Sequence, residues 1–427
     1  MAAWPLSLLS GAAARDGFWA AFDQGSISAA NFLATILIAR SSTPADLGIY
    51  GVGFTALHLA RAVQDGLVVQ PVSVIGATLP PEDGRRYITS TGLIQLLLAC
   101  LSSLVVAVCG AVVLDLGNDM AGAVLLALPF SFFSWQLQEY LRRLLYLRGS
   151  VFSAVLNTAL ANVIRLAFMA FLALQGRLTG PDGLDAIAWG SLAALAPGLW
   201  ATRRFWSARP FNLWETWKRN WGFGRWILGS SLANWSAVEF YPVLTAGMVS
   251  FSAAGAYRAL QNLVAPVHLL LRATDTFLTP RAARLYHENG RRSLTRALRL
   301  TYLFAGIPIF SLLGLAVLFP VPLLRSLYGE TYVPYSRGIL LMAFFYALMY
   351  AYWPLQTAFK AVRFSMPIFA ANLAATLVMF TAGLWAIQQW GVYGTIAGQA
   401  MNALVLNIVL WGVWLLSRRM KQPSSAS

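Results

Sequence analysis

Long apolar runs recur along the whole chain and constrain its fold more than any other feature. A helix needs about 20 apolar residues to cross the hydrocarbon core of a bilayer, so each run predicts one transmembrane helix. Twelve runs are found, at 18–39, 47–69, 88–114, 120–141, 151–175, 183–201, 223–249, 254–280, 298–319, 333–357, 364–388 and 391–417. Hydrophobic residues make up 58% of the chain and charged residues 11%, whereas soluble domains average about 45–50% and roughly 25%. The sequence therefore predicts an all-α integral membrane protein with twelve transmembrane helices.

Positive charge is distributed unequally between the connections of these spans. If the N-terminus is cytoplasmic, most of the 31 Lys and Arg residues fall on inner connections, Arg142 and Arg143 among them. The outer connections hold only Arg40, Arg177, Arg325 and Arg337. Because basic residues accumulate on the cytoplasmic side of membrane proteins, this asymmetry predicts cytoplasmic N- and C-termini. The net charge of +15 is then explained by topology and by contact with anionic membrane lipids, and it does not indicate a nucleic-acid partner.

The second half of the chain repeats the motifs of the first in the same order. EDGRR at 82–86 returns as ENGRR at 288–292. One helix face in the second span of each half carries a stripe of His, Arg and Asp, formed by His58, Arg61 and Asp65 and again by His268, Arg272 and Asp275. Because six spans per half is an even number, both halves enter the membrane from the same side. The pattern predicts two six-helix bundles related by a parallel internal repeat.

The domain boundaries follow from this repeat and from a basic, Trp-rich stretch between the halves. The prediction is an N-terminal six-helix lobe at 1–205, a cytoplasmic linker at 206–222, a C-terminal six-helix lobe at 223–417 and a disordered tail at 418–427.

Ionised side chains inside the spans are the candidate functional residues. An ionised group at mid-bilayer costs roughly 2.5–3.5 kcal/mol on insertion scales, so such groups are expected to face the bundle interior or a water-filled cavity. They are Asp23, Arg61, Asp65, Glu139, Arg165, Glu239, Arg258, Arg272 and Asp275. The guanidinium fork of arginine fits phosphate, so the four arginines predict a site for an anionic or phosphorylated substrate. The alternative is that Arg61 with Asp65, and Arg272 with Asp275, neutralise each other and only hold helices in register.

Signatures of catalysis and of cofactor binding are missing from the sequence. It contains no P-loop, no HExxH motif and no Cys/His cluster. We therefore predict no catalytic residue, cofactor or metal.

Four segments resemble the polysaccharide (O-antigen) flippase family of the multidrug/oligosaccharidyl-lipid/polysaccharide exporter superfamily. They are NFLATILIARSSTPADLGIYGV, GAYRALQNLVAPVHLLLRATDTFLTPRAARLY, LYGETYVPYSRGILLM and GVYGTIAGQAM. The resemblance implies a multi-pass protein of the bacterial inner membrane that acts in surface polysaccharide biosynthesis, for O-antigen of lipopolysaccharide or for exopolysaccharide. Such a flippase moves undecaprenyl-diphosphate-linked oligosaccharide between leaflets by alternating access of two six-helix lobes. Its other partners would be further polysaccharide assembly proteins.

Roles for individual residues combine this resemblance with charge and position. Arg61 and Arg272 are the first candidates for contact with the substrate headgroup, followed by Arg258 and Arg165. Candidates for ion coupling, or for salt bridges that break between states, are Asp23, Asp65, Glu239 and Asp275. His58 and His268 are candidates for proton coupling because histidine titrates near physiological pH, with packing against a neighbouring helix as the alternative.

Three other functions stay open from sequence alone. The nearest is an ion-coupled drug or metabolite exporter of the same superfamily. A membrane-embedded polysaccharide polymerase would need a large outer loop or a carboxylate motif, which the sequence lacks. A non-transporting scaffold in a polysaccharide assembly complex is the third.

Overall fold

The computed structural model describes residues 11–362, 364 and 366–416, and the predicted tail at 418–427 lies outside the described residues. Every regular element of the described part is a helix, so the predicted all-α class is confirmed. The chain divides into two compact units, Met1–Leu232 (unit 1) and Ala233–Ser427 (unit 2).

Unit 1 contains eight helices and most of a ninth. They are α1 (Ala12–Ser41), α2 (Pro44–Gln64), α3 (Gln70–Thr78), α4 (Pro81–Asp115), α5 (Asp119–Leu126), α6 (Leu128–Leu147), α7 (Val151–Leu174), α8 (Gly180–Thr202) and α9 (Leu213–Glu239). A π-helical turn at Asp65–Val69 joins α2 to α3, and a 3₁₀ turn at Arg203–Phe205 follows α8. The π turn widens the helix directly after the predicted His/Arg/Asp stripe, a position typical of functional sites.

Unit 2 begins within the last turns of α9 and contains eight further helices. They are α10 (Tyr241–Met248), α11 (Phe251–Leu263), α12 (Ala265–Leu318), α13 (Pro320–Tyr328), α14 (Gly338–Ala361), α15 (Met366–Val378), α16 (Leu384–Trp390) and α17 (Val392–Leu416). A 3₁₀ turn at Glu330–Tyr335 precedes α14, and a π turn at Met379–Gly383 joins α15 to α16.

Eight helical stretches of the described residues are long and apolar enough to cross a membrane. They are Pro81–Asp115, Asp119–Leu147, Val151–Leu174, Gly180–Phe205, Gly290–Leu318, Gly338–Ala361, Met366–Trp390 and Val392–Leu416. These stretches coincide with the last four predicted spans of each half. The first two spans of each half are also helical but carry more polar and charged residues, so the count of twelve stays a prediction.

Several helix starts follow directly from local sequence. Thr43 caps α2 and Thr179 caps α8, and each forms a reciprocal capping box with an aspartate three residues later, Asp46 and Asp182. The backbone N–H of Gly180 also donates to Oδ1 of Asp46 at 2.9 Å. This bond fixes the start of α8 against the start of α2.

Helix α12 differs from the sequence prediction, which ends one span at 280 and starts the next at 298. The structure continues helix from Ala265 to Leu318 with one kink at Gly290, whose φ of 65° and ψ of −157° are not helical. Residues other than glycine rarely adopt this backbone conformation. The basic segment between the two predicted spans is therefore helical, and Gly290 alone redirects the chain within it.

The order of helix packing is similar within each unit. In unit 1, α4 packs on α6, and α8 packs on both α6 and α7. In unit 2, α12 packs on α14, and α17 packs on both α14 and α15. These are corresponding helices under the predicted repeat, so the packing supports the repeat, which nonetheless stays a proposal.

Large apolar side chains lie on the outside of the apolar helices. On α4 they include Leu97, Leu101 and Leu104, each about 60% exposed. A soluble protein would bury such a stripe, whereas a membrane helix turns it toward lipid. The protein is a multi-pass membrane protein.

Candidate functional site

Three buried charges of unit 1, carried by α1 and α6, meet in one network. Nη1 of Arg142 donates to Oδ2 of Asp23 at 2.7 Å. The hydroxyl of Tyr146 donates to the same oxygen at 2.7 Å. The side chains of Arg142 and Asp23 are only 9% and 2% exposed. Water therefore screens this ion pair weakly, and the pair links the two helices strongly.

Glu139 is the second carboxylate of this site and receives a two-pronged contact from Arg142. Nε of Arg142 donates to Oε2, and Nη2 donates to Oε1, both at 2.7 Å. Nε of Arg143 also donates to Oε1, at 2.9 Å. Spacings of three and four residues place these groups side by side on one face of α6. A forked arginine–carboxylate pair is the strongest geometry available to these side chains.

Arg61 and Asp65 border this buried core from α2. Nε of Arg61 lies 3.6 Å from Oδ2 of Asp65, and Nη2 lies 3.9 Å from Oε1 of Glu139. Arg61 and Asp65 therefore form the ion pair that the alternative interpretation of the stripe considers, and their role as substrate or coupling groups stays a prediction. Both distances are too long for a hydrogen bond. The side chains of Arg61 and Asp65 are 36% and 28% exposed, so they form the accessible edge of the network.

Arg142 and Arg143 were missed as site residues because the distribution of charge assigns them to an inner loop. The structure extends α6 to Leu147, so both are helical rather than in a loop, and their assignment to the cytoplasmic side stays a prediction. A local signal was available in the sequence QEYLRRLLY, where a glutamate precedes two arginines by three and four residues. The contact with Asp23 had no such signal, because 119 residues separate Asp23 from Arg142.

Arg165 on α7 is buried among neutral groups. Nη1 donates to Oδ1 of Asn31 at 2.8 Å, Nη2 donates to the hydroxyl of Tyr50, and Nε has no partner within the described part of the chain. The guanidinium also lies 6.0 Å from the ring centroid of Phe54. Nη1 and Nη2 of Arg165 therefore connect α7 to α1 and α2, and contact with a headgroup stays a prediction.

His58 lies on α2 of unit 1. Its ring packs against Phe54 on the same helix, with 4.6 Å between the centroids. This contact is within α2, so both proton coupling through His58 and its packing against a neighbouring helix stay predictions.

A second polar cluster lies within unit 2. Glu239, Arg258 and Arg272 all interact electrostatically with the hydroxyl of Tyr346. His268 interacts with both Arg272 and Glu239. Four residues that the sequence singles out on α9, α11 and α12 therefore act electrostatically on Tyr346 or on one another within unit 2.

Local contacts orient two members of the cluster in unit 2. Nη1 of Arg258 donates to Oε1 of Gln261 at 3.0 Å, and the amide of Gln261 donates to the hydroxyl of Tyr257 at 3.0 Å. The ring of His268 stands edge-on to Trp353 at 5.5 Å between centroids. Asp275 lies on α12 with its side chain outside the described residues, so its pairing with Arg272 is untested.

A small cavity of about 20 Å³ also lies in unit 2. Its lining residues are Val238, Phe345, Met349, Tyr352, Ala375, Gln399, Asn402, Ala403 and Leu406. Oε1 of Gln399 accepts no hydrogen bond from the described residues. The volume suits about one water molecule, so this cavity has the size of a hydration site and is too small for a substrate. Among the described residues, no group of three or more His, Cys, Asp or Glu side chains is arranged to hold a metal ion.

The comparison with protein families decides which family the chain belongs to. The sequence profile of the family described as "Polysaccharide biosynthesis protein" matches residues 37–337. The chain belongs to this polysaccharide biosynthesis protein family. The match covers both the Arg61 edge of unit 1 and the Arg258 and Arg272 cluster of unit 2, and it confirms the resemblance read from the sequence. No curated protein matches the chain.

Solved structures show the fold of this member of the polysaccharide biosynthesis protein family. It is similar to an inward-facing multidrug resistance MATE family transporter of the MOP superfamily, with a TM-score of 0.74, 16% identity and coverage of 91% of this chain and 94% of that one. It is also similar to the lipid II flippase MurJ in an inward closed conformation, with a TM-score of 0.73, 16% identity and coverage of 94% and 87%.

A third similar structure concerns a transporter with an altered pocket. It is a MOP superfamily transporter from Pyrococcus furiosus, matched with a TM-score of 0.63, 16% identity and coverage of 98% of this chain and 99% of that one. For that transporter, reverse polarity of the binding pocket suggests a different function. Within this fold, therefore, the charge of the site has to be considered separately for each chain.

Proposed function

We propose that this protein is a flippase of the bacterial inner membrane that moves an undecaprenyl-diphosphate-linked oligosaccharide to the outer leaflet by alternating access. The observation that carries the proposal is the presence of an accessible arginine on the second predicted span of each half, in a polysaccharide biosynthesis protein. Arg61 is 36% exposed in unit 1, and Arg272 is exposed in unit 2. A diphosphate headgroup needs such donors, whereas its polyprenyl tail can stay in lipid.

The buried charges suggest different roles for the remaining candidates. Asp23 is held by Arg142 and Tyr146, so we propose a salt bridge that breaks between states rather than a free ion-coupling group. Glu239 and Arg272 both act electrostatically on His268, and we propose Glu239 and His268 as coupling groups. Asp65, Asp275 and His58 stay in the wider set of coupling candidates, and Arg258 and Arg165 stay behind Arg61 and Arg272 as headgroup contacts.

An ion-coupled exporter is the second candidate function. The TM-scores to the MATE transporter and to MurJ are nearly equal, 0.74 and 0.73, so the fold does not separate the two. A cationic drug would favour an unpaired carboxylate. The three carboxylates of the unit 1 network each contact at least one arginine, which favours the anionic substrate.

Replacing Arg61 or Arg272 with alanine is expected to reduce translocation to background while leaving the protein folded in the membrane. Each variant loses charge-assisted donors for the diphosphate. The measurement is the appearance of a tagged lipid-linked oligosaccharide in the outer leaflet of proteoliposomes. Arg85→Ala is the matched control, because Arg85 is an exposed arginine whose described ion pair is with Glu82 on its own helix, at 3.8 Å.

The same proteoliposomes separate the two candidate functions. Normal translocation by both Arg61→Ala and Arg272→Ala would refute the assigned headgroup contacts. Efflux of a cationic dye by the wild type, without movement of the lipid-linked oligosaccharide, would refute the flippase and support the exporter.

A further inference from the structure

Two accessible guanidinium groups share one buried carboxylate oxygen in unit 1. Nε of Arg143 donates to Oε1 of Glu139 at 2.9 Å, and Nη2 of Arg61 lies 3.9 Å from the same oxygen. Two like charges that contact one atom lie close together and repel each other. Glu139 offsets this repulsion and thereby holds the pair in place.

The strong contacts of the carboxylates are made by Arg142 rather than by this pair. Arg142 donates twice to Glu139 and once to Asp23, all at 2.7 Å. Arg61 is left with contacts of 3.6 and 3.9 Å. The terminal nitrogens of Arg143 make no hydrogen bond to the described residues, since its one bond there uses Nε. The donors of Arg61 and the terminal donors of Arg143 are therefore available to a ligand.

The exposed fractions of the side chains divide the network into a buried core and a solvent-accessible edge. The side chains of Asp23, Glu139 and Arg142 are at most 9% exposed, whereas those of Arg143 and Arg61 are 35% and 36% exposed. The core carries two carboxylates and one guanidinium, and its excess negative charge lies beneath the two exposed arginines. An anion can reach these two arginines without entering the core.

We propose that Arg61 and Arg143 form a phosphate-binding pair on unit 1, held by Glu139 and supported from below by the Asp23–Arg142 ion pair. The ligand class is a phosphate or diphosphate ester, because guanidinium forks match the spacing of phosphate oxygens. This inference rests on the proposed function and extends it by adding Arg143 as a headgroup contact. Asp65 limits the strength of the site, because its carboxylate competes for Arg61 at 3.6 Å.

The test is isothermal titration calorimetry of the full-length protein in neutral detergent, with farnesyl diphosphate as the ligand. The measured quantity is the dissociation constant. Arg61→Gln and Arg143→Gln are each expected to weaken binding by about tenfold, as the loss of a charge-assisted contact predicts. Arg85→Gln is the control and is expected to bind as the wild type does. Wild-type affinity in either site variant would overturn the pair, as would an equal loss in Arg85→Gln.

Three further measurements define which part of the ligand binds and whether the charge or the fork of Arg143 is needed. Farnesol should not bind, and inorganic pyrophosphate should compete with farnesyl diphosphate. Competition instead by phosphatidylglycerol added to the micelles, with none by pyrophosphate, would assign the site to a phospholipid headgroup and overturn the diphosphate assignment. Arg143→Lys keeps the charge without the fork and is expected to bind several-fold more weakly, so wild-type affinity in this variant would also count against the site.

The binding and translocation measurements together distinguish failure of the phosphate-binding pair from failure of the flippase proposal. If the wild type binds farnesyl diphosphate through both arginines but moves no lipid-linked oligosaccharide, the site stands and the flippase proposal fails. If the wild type translocates and Arg143→Gln translocates and binds equally well, the flippase stands and the pair fails.

Discussion

Replacement of Arg142 with alanine is expected to destabilise the folded protein by about 3–5 kcal/mol, the typical cost of removing one partner from a buried ion pair. The substitution leaves the carboxylates of Asp23 and Glu139 without their strongest donor, and both are buried. It also removes the link between α1 and α6 that Arg142 makes to Asp23 at 2.7 Å. The measurement is reversible unfolding in mixed micelles, or the midpoint of thermal unfolding in detergent.

Two comparisons isolate charge as the cause of this loss. Arg143→Ala removes a single bond of a half-exposed side chain and should cost about 1 kcal/mol. The triple variant Asp23→Asn, Glu139→Gln, Arg142→Met removes the three buried charges together and should recover most of the stability, because a buried ion cluster often contributes little net free energy. A triple variant as unstable as Arg142→Ala would show that the shape of the side chain, rather than its charge, holds the helices.

Gly394→Ala is expected to destabilise unit 2 by about 3 kcal/mol, at the upper end of the range for overpacking. A Cβ at Gly394, near the start of α17, would overlap the carbonyl oxygen of Ala386 on α16. This oxygen belongs to the backbone and cannot move aside as a flexible side chain can. The close approach of the two helices after the positive-φ turn at Gly391 therefore requires glycine at 394.

The same helix supplies the control for this prediction. A Cβ at Gly412, also on α17, would meet nothing within 4 Å. Gly412→Ala should therefore be neutral or stabilise the helix by up to about 1 kcal/mol, since alanine has the higher helix propensity. Equal thermal unfolding midpoints for the two variants would contradict the close approach at Gly394.

The all-α fold class and the positions of most apolar spans could be predicted from the sequence, because both depend on local properties of the chain. The run at 151–175 became α7, Val151–Leu174, because its length and composition specify a membrane helix with no help from other segments. The first two spans of each half were harder to delimit. In the run at 254–280 the polar and charged residues weaken the apolar signal, and the structure divides it at Val264 between α11 and α12.

The candidate site could be predicted only in part. The spacing of Arg61 and Asp65 predicts their pairing, since residues four apart are neighbours on a helix. The distribution of charge, in contrast, assigned Arg142 to a loop. The spacing of Arg142 from Glu139 gives a local signal for their contact, but the burial of Arg142 against Asp23 depends on the packing of α1 and α6, which the sequence does not show.

The sequence by itself determined that this is a helical membrane protein, that it resembles polysaccharide flippases, and that its apolar helices carry costly ionised groups. These properties depend on composition and on short spacings, which act over one or two helical turns. Only the tertiary structure decided which of those groups meet and which stay accessible. The partnership of Asp23 with Arg142 and the exposure of Arg61 and Arg143 depend on the packing of helices far apart in the chain. The strength of a charge pair depends on distance and on shielding from water, and helix packing sets both quantities.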